Sequence, residues 1–274
     1  ELTVKDVTAQ QMALVRRPKY GTGKHINPCI DCRIMLLRIA AEEMKKMGAD
    51  FIFTGEVLGQ RPMSQHKGTM DIVVRDSELQ DVVVRPLSAK LLPPTLPERE
   101  GWLDRERLLD IEGRSRTRQI ELAERLGIKE YKAPAGGCSL TEEVFSRRLQ
   151  NLIRRDMYDV EQIRLLKTGR HFDLSPAAKL IVARNLEECE VLQEHALSER
   201  RLLYSADTTG ANGLLIGDAS AEDIALAARI IKFYGKGRAN ERSMIKIRNG
   251  QIEEQIEIVG DMRDYEPDFR RMMI

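Results

Sequence analysis

The sequence has no apolar run long enough to span a membrane, and its first residues, "ELTVKDVTAQ", are too polar for a signal peptide. Its four cysteines in 274 residues are too few for a disulfide scaffold. An HExxH motif, a Ser/His/Asp set, internal repeats and low-complexity tracts are also absent from the pattern. These absences favour a cytoplasmic protein without a membrane partner, in which a Cys-x-x-Cys pair binds metal or is redox-active.

The chain also lacks an excess of charge, because 44 Lys and Arg residues balance 43 Asp and Glu residues to a net charge of +1. The total charge by itself therefore gives no argument for a polyanionic partner. The basic residues are nevertheless clustered, in "GRSRTRQ", around "LQNLI" and in "RIIKFYGKGRANER". These clusters form either local basic faces or ordinary solvated helix surfaces.

The pattern of apolar residues predicts two α/β domains. In residues 1–145, the short runs "ADFIFTG" and "DVVVRPLS" are typical of buried parallel strands and alternate with helices such as 28–48. In residues 146–274, helices alternate with short strands, and Asn249-Gly250 predicts the turn of a hairpin. We therefore expect a parallel-sheet domain followed by a small α+β domain.

Three cysteines are candidates for chemistry. Cys29 and Cys32 are three residues apart near a predicted helix start, where a metal site, a redox pair and a structural pair are all compatible with the spacing. Cys138 lies in the glycine-containing loop "APAGGCSL" and is the natural third ligand if the pair binds a metal or cluster. Cys189 belongs to an amphipathic helix and is expected in the core.

Two further segments are candidates for binding. The strand ending at Thr54 and Gly55 is followed by a polar loop containing Glu56, at the sheet edge where nucleotides bind in open α/β folds. The segment "KTGRHFDL", with His171, reads either as a nucleic-acid contact loop or as a structural element.

Four motifs resemble, in order, the PP-loop ATPase proteins related to tRNA thiouridylases. They are "NPCIDCR", "GADFIFTGEVLGQRPMSQ", "RPLSAKLLPPTLPEREGWLDRERLLDIEGRSRTRQIELAERLGI" and "PAGGCSLTE", within residues 15–145. Residues 146–274 resemble the RNA-binding domain of the NFACT type, through "LLKTGRHF", "IVARNLEECEVL" and "EDIALAARIIKFYGKGR".

The first resemblance implies an adenine-nucleotide α-hydrolase-like (HUP or Rossmann-like) fold and ATP-dependent thiolation of a tRNA uridine. It assigns catalytic roles to Cys29, Cys32 and Cys138, either as ligands of a [4Fe-4S] cluster or as persulfide and disulfide partners. It assigns ATP (with Mg²⁺) to Thr54, Gly55 and Glu56. The family's SGGxDS phosphate loop is absent from the sequence. Either it lies upstream of residue 1, which is the expectation we favour, or the protein relies on a partner to bind ATP.

Two hypotheses follow. The first is an ATP-dependent tRNA sulfurtransferase with tRNA as its partner, an unidentified sulfur donor and a homodimer as one candidate assembly. The alternative is a noncatalytic RNA-binding protein whose cysteines hold a structural metal.

Overall fold

The structure, a computed structural model, describes residues 2–131, 137–196 and 200–274. The chain divides into two compact units, Glu1–Glu142 and Glu143–Ile274. None of the described helices is both long and apolar enough to cross a membrane.

The first unit is mainly helical. Its elements are α1 (Thr8–Arg16), α2 (Cys29–Met47), β1 (Ile52–Phe53), α3 (Lys67–Asp76), β2 (Val83–Val84), α4 (Leu96–Arg99) and α5 (Thr117–Arg125). Its core forms where the apolar faces of α2 and α3 meet β2, around Ile34, Leu37, Val73 and Val83. The predicted helix over 28–48 is confirmed by α2.

The expected parallel sheet is much smaller than predicted. Within the described residues, strand pairing in the first unit is limited to β1 and β2, which are parallel and two residues long. A strand inside a parallel sheet is normally covered on both faces, but Phe53 of β1 is 72% exposed. The apolar runs thus form one short parallel pair, and a HUP or Rossmann-like sheet is not seen in the described part of the chain.

The second unit is built on an antiparallel sheet. Its elements are α6 (Glu143–Arg154), α7 (Val160–Arg164), β3 (Arg170–Asp173), β4 (Ala178–Val182), α8 (Leu186–Glu194), β5 (Arg200–Ser205), β6 (Gly213–Gly217), α9 (Ala221–Tyr234), β7 (Arg242–Asn249), β8 (Ile252–Val259) and α10 (Glu266–Met272). The strand order is β3-β4-β6-β5-β7-β8. The predicted hairpin is confirmed: Asn249 pairs with Ile252 across the turn, and Gly250 has a φ of +61°.

Strand β4 shows why this sheet is stable. Every residue from Ala178 to Val182 is buried, because both faces of the strand are covered. Leu180 and Val182 belong to the cluster that includes residues of α9, whereas Ile181 belongs to the cluster that includes Leu192 of α8. Leu180 and Val182 thus contribute to one core and Ile181 to the other, which explains three consecutive apolar residues in this strand.

Candidate functional site

The predicted cysteine pair lies at the start of α2. Cys29 is the first helical residue, and the Cys32 N–H donates to the carbonyl of Pro28 at 2.9 Å. This places both thiols in the first turn, where the helix dipole favours a thiolate. Both side chains are half-buried, and neither forms a disulfide.

Neighbouring polar groups contact each thiol of the pair. The Asn27 side-chain amide donates to Cys29 Sγ at 3.2 Å and contacts Met63 Sδ at 3.3 Å. The Cys32 thiol donates to Gln11 Oε1 at 3.7 Å. Gly23 leaves room for this arrangement, because a Cβ there would lie 2.4 Å from Met63 Sδ.

The third predicted cysteine, Cys138, acts electrostatically on Cys32. Burial raises the pKa of the Cys32 thiol, and the charges of Cys138 and Cys29 raise it further, whereas Arg33 lowers it. Cys138 itself is exposed. Of the two glycines that precede Cys138 in the predicted loop, Gly136 lies outside the described residues. The three predicted cysteines therefore share one region of the first unit, and burial there favours the neutral thiol of Cys32 against the effect of the helix dipole.

The thiols fit a soft metal or an iron–sulfur cluster by donor type. A metal ion also requires that its ligands lie close together. Across residues 2–131, 137–196 and 200–274, no group of three or more His, Cys, Asp or Glu side chains is close enough to hold one metal ion. The donor chemistry of the thiols is compatible with an iron–sulfur cluster, and the cluster stays a prediction.

The predicted nucleotide residues lie beyond β1, and Glu56 is engaged internally. Its carboxylate is 3% exposed and lies 3.3 Å from Arg33 Nε and 3.0 Å from Arg85 Nε. The Thr54 hydroxyl donates to the same carboxylate at 3.3 Å. A Cβ at Gly55 would have no neighbour within 4 Å, so the backbone there borders open space. Glu56 thus connects α2, through Arg33, to Arg85 at the end of β2. Thr54 and Gly55 directly follow β1, and the backbone at Gly55 borders open space.

A larger feature lies in the second unit. It is a groove of about 980 Å³, between the edge strand β3, the start of α8, the end of α9 and the last helix, α10. Its lining includes five basic side chains, which come from four separate segments: Arg170, Arg184, Lys236 with Arg238, and Arg270. We call this feature the basic groove.

The charges of the basic groove are only partly neutralised. Arg184 pairs with Glu188, and Arg270 pairs with Glu266. Within the described part of the chain, Arg170, Lys236 and Arg238 have no carboxylate ion-pair partner. An anionic ligand can therefore contact three cations without first displacing an internal acid.

Arg170 packs against an aromatic cluster on one side of the groove. Its guanidinium lies 4.7 Å from the centroid of the Tyr234 ring. That ring in turn packs against Phe233 and Phe172, with centroid distances of 4.9 Å and 5.9 Å. Burial raises the pKa of Tyr234, and the Arg170 charge opposes that shift. The aromatic cluster thus holds a planar cation at the groove.

Two glycine-containing loops form another side of the groove. The Lys236 N–H donates to the Thr209 carbonyl at 3.1 Å. A Cβ on Gly210 would approach Gly235 Cα to 2.9 Å, so the two backbones are too close for a side chain at that position. This contact fixes the backbone from which Lys236 extends into solvent.

Sequence reasoning found part of this site. The cluster "RIIKFYGKGRANER" contributes Lys236 and Arg238, but its Lys232 is buried, with Nζ donating to three carbonyls at 2.7–3.0 Å. The predicted contact loop "KTGRHFDL" contributes Arg170, while its His171 is fully buried in β3. Arg184 and Arg270 lie far apart in sequence, and no local pattern connects them.

A concave basic surface beside aromatic side chains is typical of nucleic-acid-binding modules. Residues 169–266 match the family described as NFACT protein RNA binding domain. The second unit therefore contains an RNA-binding domain of this family. The match covers less than half of the chain, and it includes four of the five basic residues of the groove.

Other comparisons add little. No curated protein matches the chain. It is similar to a solved structure titled "The structure of the C-terminal of the fibronectin/fibrinogen-binding protein from Streptococcus suis (FBPS)", at 12% identity over 98% of this chain and 100% of that one. The TM-score of 0.34 is too low to establish a shared fold. The resemblance of residues 15–145 to PP-loop thiouridylases finds no support among these comparisons.

Proposed function

We propose that this protein binds RNA and that the basic groove is its RNA-binding surface. The observation that supports this proposal is the set of three cations, Arg170, Lys236 and Arg238, that lack a carboxylate partner within the described residues and lie within the matched RNA-binding domain. Each cation can neutralise one backbone phosphate and release its counterions.

Fluorescence anisotropy with labelled RNA at increasing NaCl concentration tests this proposal. The variant Lys236→Ala/Arg238→Ala removes two exposed groove cations, and we expect its affinity to fall at least tenfold at low salt. Its salt slope should become shallower by about 0.7 per lost phosphate contact on single-stranded RNA.

The matched control is Arg229→Ala/Arg242→Ala, which removes the same charge from exposed positions outside the groove lining. If both double variants lose affinity equally, the effect is one of net charge and the groove is not the binding surface.

A second candidate function is ATP-dependent sulfur transfer to a tRNA uridine. The specific observation that favours it is that the charges of Cys29 and Cys138 raise the pKa of Cys32. They do so because the three thiols lie in one region of the first unit. In this proposal the first unit is adenine-nucleotide α-hydrolase-like, and Thr54 and Gly55 contact ATP with Mg²⁺. Glu56 then acts by positioning the cysteine helix through Arg33.

The experiment for this candidate is the iron and acid-labile sulfide content of anaerobically purified protein. We expect a bound [4Fe-4S] cluster that is lost in Cys138→Ala and retained in Cys189→Ala. Zinc without iron would favour an RNA-binding protein with a structural metal. Absence of both metals would leave a persulfide on Cys138 as the route within this candidate, which mass spectrometry of the untreated protein can detect.

A further inference from the structure

We propose that the basic groove binds an unpaired segment of RNA, with a base against Arg170 and phosphates against Lys236 and Arg238, in preference to duplex RNA. This inference rests on the proposed function and specifies the class of RNA that the site accepts.

The shape of the groove is the first argument. Its volume of about 980 Å³ is at the upper end of the range of about 300–1,000 Å³ for small-molecule sites. Duplex RNA is read across a wide, shallow minor groove over about 16 base pairs, by surfaces that follow the helix. A recess of this size suits one or two splayed nucleotides, whereas a rigid duplex can contact only its rim.

The position of Arg170 is the second argument. One face of its guanidinium is held by Tyr234 at 4.7 Å, and Arg170 also lines the groove. Unpaired bases can stack on aromatic rings and on Arg guanidinium planes. Bases inside a duplex cannot, because their faces are already covered by neighbouring bases. The ring therefore holds the guanidinium ready to stack with a base.

The distribution of charge is the third argument. Lys236 and Arg238 are exposed, and Arg170 is half-buried against the aromatic cluster. Apolar residues, among them Ala183, Ala211 and Phe233, line the same groove as these cations. An apolar surface with cations around it matches a nucleotide, whose base is largely apolar on its faces and whose phosphates are anionic.

The test compares an oligouridine strand of about 12 nucleotides with an RNA duplex of about 16 base pairs. Anisotropy is measured at one salt concentration with the full chain. The duplex has more phosphates, so binding by charge alone predicts the tighter affinity for the duplex. We expect the single strand to bind at least tenfold more tightly.

The variant Arg170→Lys separates stacking from charge, because it keeps the positive charge and removes the planar guanidinium. We expect about a tenfold loss for the single strand and an unchanged salt slope. Lys236 and Arg238 are exposed, so the variant Lys236→Ala/Arg238→Ala keeps the test independent of any folding defect at Arg170. Its affinity for the single strand should fall, and the salt dependence of that affinity should become shallower.

Several outcomes would overturn this inference. If the duplex binds as tightly as the single strand and Lys236→Ala/Arg238→Ala weakens both, RNA binding at the groove stands and the preference for unpaired RNA is wrong. If that variant weakens neither RNA, the groove is not the RNA site and both proposals fail. Displacement of the single strand by polyglutamate of equal charge would show an unspecific anion surface and would also refute it.

Discussion

Basic side chains have different surroundings in the two units. In the first unit, Arg33 and Arg85 bracket the buried Glu56, and Asp76 accepts hydrogen bonds from Lys19 and Tyr20. These contacts hold the pKa of Asp76 well below its usual range. In the second unit, three groove cations have no such acid within the described residues. Paired cations hold elements together, whereas unpaired cations at a groove are available to a ligand.

Glu56→Gln should have the largest effect, because it removes the negative charge between two arginines. Breaking a buried ion pair from one side costs about 3–5 kcal/mol of unfolding free energy. Urea unfolding measures this loss, and hydrogen exchange should locate it in α2 and β2.

The control for that change is Glu106→Gln, whose carboxylate is 88% exposed and pairs with Lys90. A surface pair contributes about 0–1 kcal/mol. Equal losses in the two variants would contradict the structural role given to Glu56. RNA affinity should be unchanged in both.

Lys232 and Lys236 test the same contrast within one segment. Lys232→Met leaves three carbonyl acceptors without their donor and should lower the unfolding free energy by about 3 kcal/mol. Lys236→Met should leave stability nearly unchanged and weaken RNA binding. The opposite pattern, in which Lys236→Met destabilises the protein and spares binding, would reverse the roles of the two residues.

Lys179, buried in β4, gives the second unit a distinct pH dependence. Burial lowers the pKa of Lys179 to about 8, opposed by Asp173. The unfolded chain, with a lysine pKa of about 10.4, then binds more protons between these values, so stability rises from pH 8 to pH 10. Compared with the parent protein, Lys179→Met should gain the most unfolding free energy at pH 7. This gain should shrink by pH 10. A constant difference across this range would show that Lys179 titrates normally.

Cys32 gives the first unit a smaller dependence of the opposite sign. Burial raises the pKa of its thiol in the folded state, so the unfolded chain releases the proton first. Stability is fully present below about pH 8.5 and declines as pH rises above it. Cys32→Ala should abolish that decline in stability. In a separate measurement at neutral pH, iodoacetamide should modify the exposed Cys138 before Cys32. Faster modification of Cys32 would show that its thiol is more accessible and more acidic than the structure indicates.

Local signals in the sequence predicted local structure well. Asn249-Gly250 forms the expected hairpin, and Ser220 caps α9 through the Asp223 N–H at 3.1 Å. These features depend on neighbouring residues alone.

Predictions that depend on pairing between distant segments were less successful. "FIFTG" and "DVVVRP" have the composition of buried strands, yet they form only a two-residue parallel pair. The basic groove unites Arg170, Lys236 and Arg270 because β3 lies at the edge of the sheet beside α10, and no local periodicity encodes that arrangement. The three cysteines are an intermediate case: the spacing of Cys29 and Cys32 places both in one helical turn, whereas only the fold brings Cys138 within electrostatic range of Cys32.

The most direct test of the account is the RNA affinity of Lys236→Ala/Arg238→Ala beside Arg229→Ala/Arg242→Ala, measured with the same single-stranded probe across a salt series. We expect at least a tenfold loss of affinity and a shallower salt slope for the first variant, with near-parental binding for the second. Equal affinity in both variants would contradict the assignment of RNA binding to the groove.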